Sequence, residues 1–248
     1  PTADLSFHHL NGDKVNKIRF TEAKLGFDFR PGQEYVNGKI SRTEVNRDAP
    51  RFTLEHTVGM KGVLGGQFTY HLTEASVYKR LWLGSWGHID TQVKAGSQWC
   101  KVPFPLLIMP AINTSYFEHQ GSFNLMDNME FLNDRYASFN LAWDLNGKIF
   151  NRIPLMKRLK WREYVAFKGM WGKLTDRNNP FLESNANDPD LYQFPSNTRL
   201  MTHDPYLELV VGVHNIFKFF EVDYVRRLTY KYPGTEVNGI RFGFNVQF

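Results

Sequence analysis

Apolar and polar residues alternate one by one along several stretches of this chain, the period of a strand whose two faces meet different media. The cleanest case runs to the last residue: Ile240, Phe242, Phe244, Val246 and Phe248 share one face, and Arg241, Gly243, Asn245 and Gln247 share the other. Between Arg51 and Met60, Phe52, Leu54, Val58 and Met60 oppose Arg51, Thr53, Glu55 and Thr57. Between Arg135 and Asn146, Ala137, Phe139, Leu141, Trp143 and Leu145 oppose Tyr136, Ser138, Asn140, Asp144 and Asn146. The spacing of three and four that a helix requires is missing from these segments, so the pattern predicts strands. Weaker alternation predicts further strands over Lys17–Arg30, Gln33–Arg42, Gln67–Leu83, Trp86–Gly96, Trp161–Lys173, Pro205–His214 and Val222–Tyr232. That makes about ten strands of roughly ten residues, the length a tilted strand needs to cross a bilayer. In Lys17–Arg30 the phase slips, from Ile18 and Phe20 to Ala23, Leu25, Phe27 and Phe29, which implies a β-bulge or a boundary drawn too early. Arg226 falls on the apolar face of its segment, so it sits at a rim or marks another bulge. Tight turns are expected at Asn146-Gly147 and Asn238-Gly239, and long irregular stretches at Trp99–Leu132 and Leu174–Asp204. Short turns on one rim and long loops on the other are usual in membrane barrels.

Composition sharpens this picture. Mean hydropathy is −0.43, but averaging hides a barrel, whose strands mix lipid-facing and lumen-facing residues. The longest apolar run, Val102 to Pro110, is short and holds three prolines, so no spanning helix is available. Aromatic residues reach 15%, and Trp82, Trp86, Trp161, Trp171, Tyr230 and Tyr232 fall near strand ends, where interfacial girdles would place them. The formal charge of +5 is spread among both signs, which speaks against nucleic acid as a partner. The one dense basic cluster, Lys157 to Arg162, reads as a solvated strand end or as a rim facing anionic headgroups. The single cysteine, Cys100, excludes an intramolecular disulfide framework and a cysteine metal cluster. Pro1-Thr2-Ala3-Asp4 carries neither an initiator methionine nor a signal peptide, as expected of a processed chain or a fragment.

Candidate chemistry is sparse. Phe244, Val246 and Phe248 form an alternating C-terminal aromatic strand of the kind that barrel-assembly machinery captures by strand addition. Arg51, Arg227 and Arg241, with Glu55, Asp144 and Asp223, are expected to face the lumen, together with Arg19, Lys94 and Lys168, as a mixed-charge interior more plug than channel. His88 and Asp90 lie two apart on one strand face, as a base and its orienting carboxylate would, but no serine partner is specified. Glu183, Asn185, Asn187, Asp188 and Asp190 are rich in oxygen donors but fit no EF-hand spacing, and an ordinary polar loop accounts for them. No cofactor is expected.

A likeness to a known family rests on longer runs. These are Lys79-Arg-Leu-Trp-Leu-Gly-Ser-Trp-Gly-His-Ile-Asp90, Lys101-Val-Pro-Phe-Pro-Leu-Leu-Ile108, Phe150-Asn-Arg-Ile-Pro-Leu155, Leu159-Lys-Trp-Arg-Glu163, His214-Asn-Ile-Phe-Lys-Phe-Phe220 and Asp223-Tyr-Val-Arg-Arg-Leu-Thr-Tyr230. From about Gln67 onward the chain resembles large outer-membrane proteins of Bacteroidota, the domain of unknown function family 5686. In that family a carboxypeptidase-regulatory-like domain precedes a barrel related to the surface-antigen barrels of the BamA assembly-factor superfamily. The resemblance implies an all-β, antiparallel transmembrane β-barrel of sixteen strands, of which this chain supplies about the last ten. It also places a lumen-inserting loop in 99–132, with Pro103, Phe104, Pro105, Gly121 and Phe123 as its marker residues, and an extracellular loop in 174–204. The superfamily's Val-Arg-Gly-Phe or Val-Arg-Gly-Tyr loop tip is missing here; Gly121 to Met126 stands in its place without the arginine. The function implied is non-enzymatic, in outer-membrane or surface-protein assembly or export. The implied partners are outer-membrane lipid and lipopolysaccharide, barrel-assembly machinery and lipoprotein subunits of a complex. An outer-membrane hydrolase with a rim site at His88/Asp90 and a soluble β-sandwich binding module are the competing expectations.

Overall fold

A computed structural model describes residues 7–39, 41–46, 48–119 and 121–245; Val246 and Phe248 of the expected insertion signal lie outside the described residues. Thirteen strands are β1 (Phe7–His8), β2 (Lys14–Val15), β3 (Glu22–Phe29), β4 (Tyr35–Asn37), β5 (Arg42–Glu44), β6 (Arg51–Gly59), β7 (Tyr70–Trp82), β8 (His88–Gln98), β9 (Arg135–Asp144), β10 (Arg162–Lys173), β11 (Tyr206–Ile216), β12 (Phe220–Arg227) and β13 (Asn238–Phe244), with one short helix, α1 (Pro154–Leu159). Nine of them form a single sheet in the order β3-β6-β7-β8-β9-β10-β11-β12-β13, each antiparallel to its neighbours.

The register carries the sequence alternation across the whole sheet. One row of partners runs Phe27, Leu54, Ala75, Ala95, Ala137, Trp171, crossing six strands without leaving the apolar face. The next row on the other face runs Glu55, Glu74, Gly96, Tyr136, Gly172, and the Tyr136 hydroxyl donates to Glu74 at 2.9 Å. A slip of one residue in any pair would exchange the two rows. The apolar face is bare: Leu25 is 78% exposed, Phe27 64%, Ile240 53% and Phe244 62%, and Leu54, Val77, Val93, Leu141, Trp171, Val211 and Tyr224 continue the belt between them. Contiguous exposed apolar area on this scale marks contact with a membrane or a partner, because each Å² left in water costs about 25 cal/mol.

What is buried lies on the opposite side, between the polar face of the sheet and the connections folded over it. Phe123, Met126, Phe131, Met170 and Tyr206 form one cluster, and Leu125, Tyr164, Ala166, Val210 and Val225 another. A third cluster, with Tyr70, Val102, Phe104, Leu107, Leu132 and Tyr192, joins the two longest connections at one rim. That rim carries 60–69, 99–134, 174–205 and 228–237, while the other carries 30–50, 83–87, 145–161 and the three-residue turn 217–219. Turn 83–87 is tight because Gly87 takes φ 77° directly over the Asp144 carbonyl oxygen, leaving no room for a Cβ.

Several sequence expectations need correction. Gln33–Arg42 is no spanning strand; its Tyr35–Asn37 pairs only with Arg42–Glu44 in a hairpin between β3 and β6. Asn238-Gly239 is not a turn but the start of β13, the reversal falling earlier, around Pro233-Gly234. Asn146 and Gly147 do adopt left-handed φ of 53° and 74°, yet they open a longer connection that includes α1. The phase slip before Ala23 is a boundary, since β3 begins at Glu22. Arg226 sits at the rim, in unbroken register with Leu209 and Asn238. The sheet's irregularity falls elsewhere, between Val213 and Ile216. Among the described residues no helix is long and apolar enough to cross a membrane.

Candidate functional site

Charges set on the polar face of β10–β13 hold a strap, residues 111–133, which belongs to the long connection between β8 and β9. The strap first folds on itself. Asn113 Oδ1 accepts from the Ser115 amide at 3.0 Å, its Nδ2 donates to the Phe117 carbonyl at 2.7 Å and to Asn124 Oδ1 at 2.8 Å, and its amide reaches the Phe123 carbonyl at 2.7 Å. Four strand side chains then grip it. Glu208 of β11, fully buried, accepts from the Asn124 and Leu125 amides at 2.9 and 2.8 Å and from the Tyr206 hydroxyl at 2.6 Å. Lys168 of β10 donates to the Ser122 carbonyl at 3.0 Å and to Glu118 at 2.8 Å. Arg227 of β12 forks onto both carboxylate oxygens of Glu130 and also reaches the Leu125 carbonyl at 3.2 Å. Arg241 of β13 donates to the Asn124 carbonyl. Arg227 is 0% exposed and Glu130 2%, so each would cost several kcal/mol to bury alone, and the fork offsets that cost. Next to this pair, burial and the Glu130 charge push the Asp127 carboxyl above its ordinary range.

The strap's tip reaches the end of the sheet. The Phe242 amide donates to the Tyr116 carbonyl at 2.8 Å and the Glu118 amide to the Phe242 carbonyl at 2.7 Å, so 116–118 runs parallel to β13 along its open edge. The strap thereby supplies the terminal strand with a short partner.

Beside the strap, toward the rim that carries turns 83–87 and 217–219, lies a polar cavity of about 400 Å³. Side chains from every strand between β7 and β12 line it, which requires the sheet to curl around it. On one wall Asp90 receives Nε and Nη2 of Arg80, both at 2.7 Å, and the Tyr78 hydroxyl at 2.8 Å; His88 stands 3.7 Å away. On the other, His214 stacks on Tyr164 at 4.2 Å between Asp223, at 2.9 Å, and Glu221, at 3.5 Å. Gly212 is required here, because a Cβ would run into the Asp223 carboxylate. The Asp90 oxygens are taken by Arg80 and Tyr78, and the described residues lining the cavity include no serine, threonine or cysteine. His88 and Asp90 therefore have no hydroxyl or thiol of serine, threonine or cysteine beside them there.

The structure separates the residues the sequence grouped. Gly121 and Phe123 lie in the strap, whereas Pro103, Phe104 and Pro105 lie at the rim, Phe104 packing on Phe194 and Phe7 at 6.1 and 5.7 Å. Asp223, Arg227 and Arg241 are buried on the polar face, and Asp144 borders the cavity. Arg51 and Glu55 lie toward the β3 end, Arg51 on Asp28 at 2.6 Å and Glu55 on Lys24 at 2.5 Å. Asn185 and Asp188 are spent on structure: Asn185 Nδ2 donates to the Asp176 and Asn179 carbonyls, and Asp188 pairs with Lys101. That pairing and the Asp190 amide hold the Asp188 carboxyl below its usual range against the opposing pull of burial. The alternation does not single out Glu118, Glu130 or Glu208. The available signal was a lone acid inside an apolar run, Met129-Glu-Phe-Leu132 and Tyr206-Leu-Glu-Leu-Val210.

Residues 8–186 match the family described as "Family of unknown function (DUF5686) C-terminal domain". The chain belongs to this family. No curated protein matches it. Among solved structures, BamA from Haemophilus ducreyi lacking POTRA domains 1-3 is similar over 95% of this chain, with a TM-score of 0.51 and 11% identity. The chain spans 44% of that chain's length. At this identity the likeness shows the fold: the nine-stranded meander is that of a BamA-like β-barrel, as the family resemblance implies, with nine strands in place of the expected ten or so.

Proposed function

We propose that this chain is the membrane-embedded C-terminal part of a barrel in the outer membrane of a Gram-negative bacterium. It works without catalysis in the assembly or export of outer-membrane or surface proteins, as one subunit of a complex. The observation that carries this reading is the strap, fixed by four charged side chains across the polar face and ending on the edge of the last strand. A segment built that way governs access to the interior and to the terminal strand, the two places where another polypeptide could engage a barrel. The belt facing away from the strap is the surface for lipid tails, and lipopolysaccharide would meet its rim of long connections. The partners are barrel-assembly machinery and other outer-membrane or lipoprotein subunits; nothing in the charge distribution favours nucleic acid. The hydrolase alternative lacks a serine, threonine or cysteine nucleophile among the described cavity residues.

Depletion of the full-length protein in its host, followed by quantitative proteomics of the outer membrane, tests the proposal. A selective fall in a set of outer-membrane or surface proteins is expected. Unchanged protein levels, with a phospholipid or peptide substrate accumulating instead, would point to the hydrolase.

A further inference from the structure

The connection between β9 and β10 has a composition unlike the rest of the chain. Between Leu145 and Arg162 it holds Lys148, Arg152, Lys157, Arg158, Lys160 and Arg162 and no acidic residue. Arg152, Lys157, Arg158 and Lys160 are exposed, and among the described residues none of these four pairs with a carboxylate. The adjoining acid, Glu163, is occupied by the Phe150 amide and so fixes the connection's path without pairing with any of these four. Apolar side chains are interleaved with them: Ile149, Ile153, Leu155 and Leu159 are all exposed, Leu155 by 63%. The surface continues into turn 83–87, where Lys148 donates to Ser85 Oγ at 2.8 Å and lies 5.2 Å over the exposed Trp86 ring, and where the Trp143 indole donates to the Trp86 carbonyl at 2.9 Å.

We infer that connection 145–161 is a lipid-headgroup foot that binds anionic phospholipid in the leaflet at the rim it shares with turns 83–87 and 217–219. Exposed Arg152, Lys157, Arg158 and Lys160 beside exposed aliphatic and indole side chains are the chemistry of a membrane interface, where ammonium and guanidinium groups reach phosphates while apolar neighbours enter the acyl boundary. The leaflet follows from topology. The foot lies on the rim opposite connection 174–205, so with that connection on the cell surface the foot meets phospholipid and not lipopolysaccharide. This inference rests on the membrane-barrel reading.

The test uses full-length protein in neutral detergent, with phosphatidylglycerol, phosphatidylcholine or lipopolysaccharide added and bound lipid counted by native mass spectrometry. Wild type is expected to retain phosphatidylglycerol about tenfold or more better than phosphatidylcholine, and R152Q/K157Q/R158Q/K160Q is expected to lose that preference. Because the four side chains are exposed, the variant should keep the wild type's heat-modifiable gel migration. Equal retention of the two phospholipids, an unchanged preference in the variant, or preferential retention of lipopolysaccharide each overturns the foot. A wild-type chain that stays monodisperse without detergent overturns the membrane reading itself.

Discussion

Arg227→Met is expected to destabilise the fold by about 3–5 kcal/mol, because it leaves Glu130 charged and unpaired in the interior. The expected effect exceeds that of a surface ion pair, since both partners are all but sealed from solvent. The double variant R227M/E130L removes both charges and should recover most of the loss, which separates the cost of a stranded carboxylate from lost packing. Denaturant titration of vesicle-reconstituted protein, followed by tryptophan fluorescence, measures both. Amide exchange adds a local readout: with Arg227 gone, the Leu125 carbonyl loses a donor and the amides of Asn124 and Leu125 should exchange faster.

The second large effect concerns the opposite face. Leu141 lies in mid-strand on β9, with Thr91 and Phe167 as its neighbours in register. In the proposed membrane barrel Leu141→Arg would put a guanidinium among lipid tails and should cost about 2–4 kcal/mol in vesicles. Asn140, one residue earlier, borders the polar cavity, so Asn140→Arg should cost much less. In a water-soluble sandwich with both faces packed, the contrast between adjacent positions would not depend on lipid, and transfer from vesicles to buffer would leave it unchanged.

Sequence alone made the sheet legible wherever the two faces met sharply different surroundings. β6, β9 and β13 follow their alternation because Phe52, Leu54, Leu141, Ile240 and Phe244 are exposed on one face, while Thr57 and Arg241 are buried on the other and Tyr136 there reaches Glu74. It failed where local pattern had no such contrast behind it. Gln33–Arg42 alternates weakly, but its Tyr35 and Arg42 stack on each other at 3.8 Å in a small hairpin. Asn238-Gly239 carries turn chemistry, yet Asn238 pairs with Arg226, and its side chain accepts the Tyr224 hydroxyl at 2.6 Å. The charges on β10 and β12 could be assigned to the polar face by parity, as Lys168 and Arg227 were. Their partners could not, because Glu118 and Glu130 sit in an irregular connection with no period to orient them. The same limit split Pro103–Pro105 from Gly121 and Phe123: one connection feeds both the rim cluster and the strap, and only tertiary packing divides it.

In the proposed membrane barrel, outward side chains of the nine-stranded sheet contact lipid tails while their neighbours face a wet interior. Spin labels placed one at a time from Ala137 to Trp143, in a Cys100→Ser background reconstituted into vesicles, test it directly. Accessibility to oxygen should peak at Ala137, Phe139, Leu141 and Trp143, and accessibility to a water-soluble nickel chelate should peak at Ser138, Asn140 and Ala142. Uniformly low oxygen accessibility along β9, or chelate contact at Phe139 and Leu141, would contradict the account.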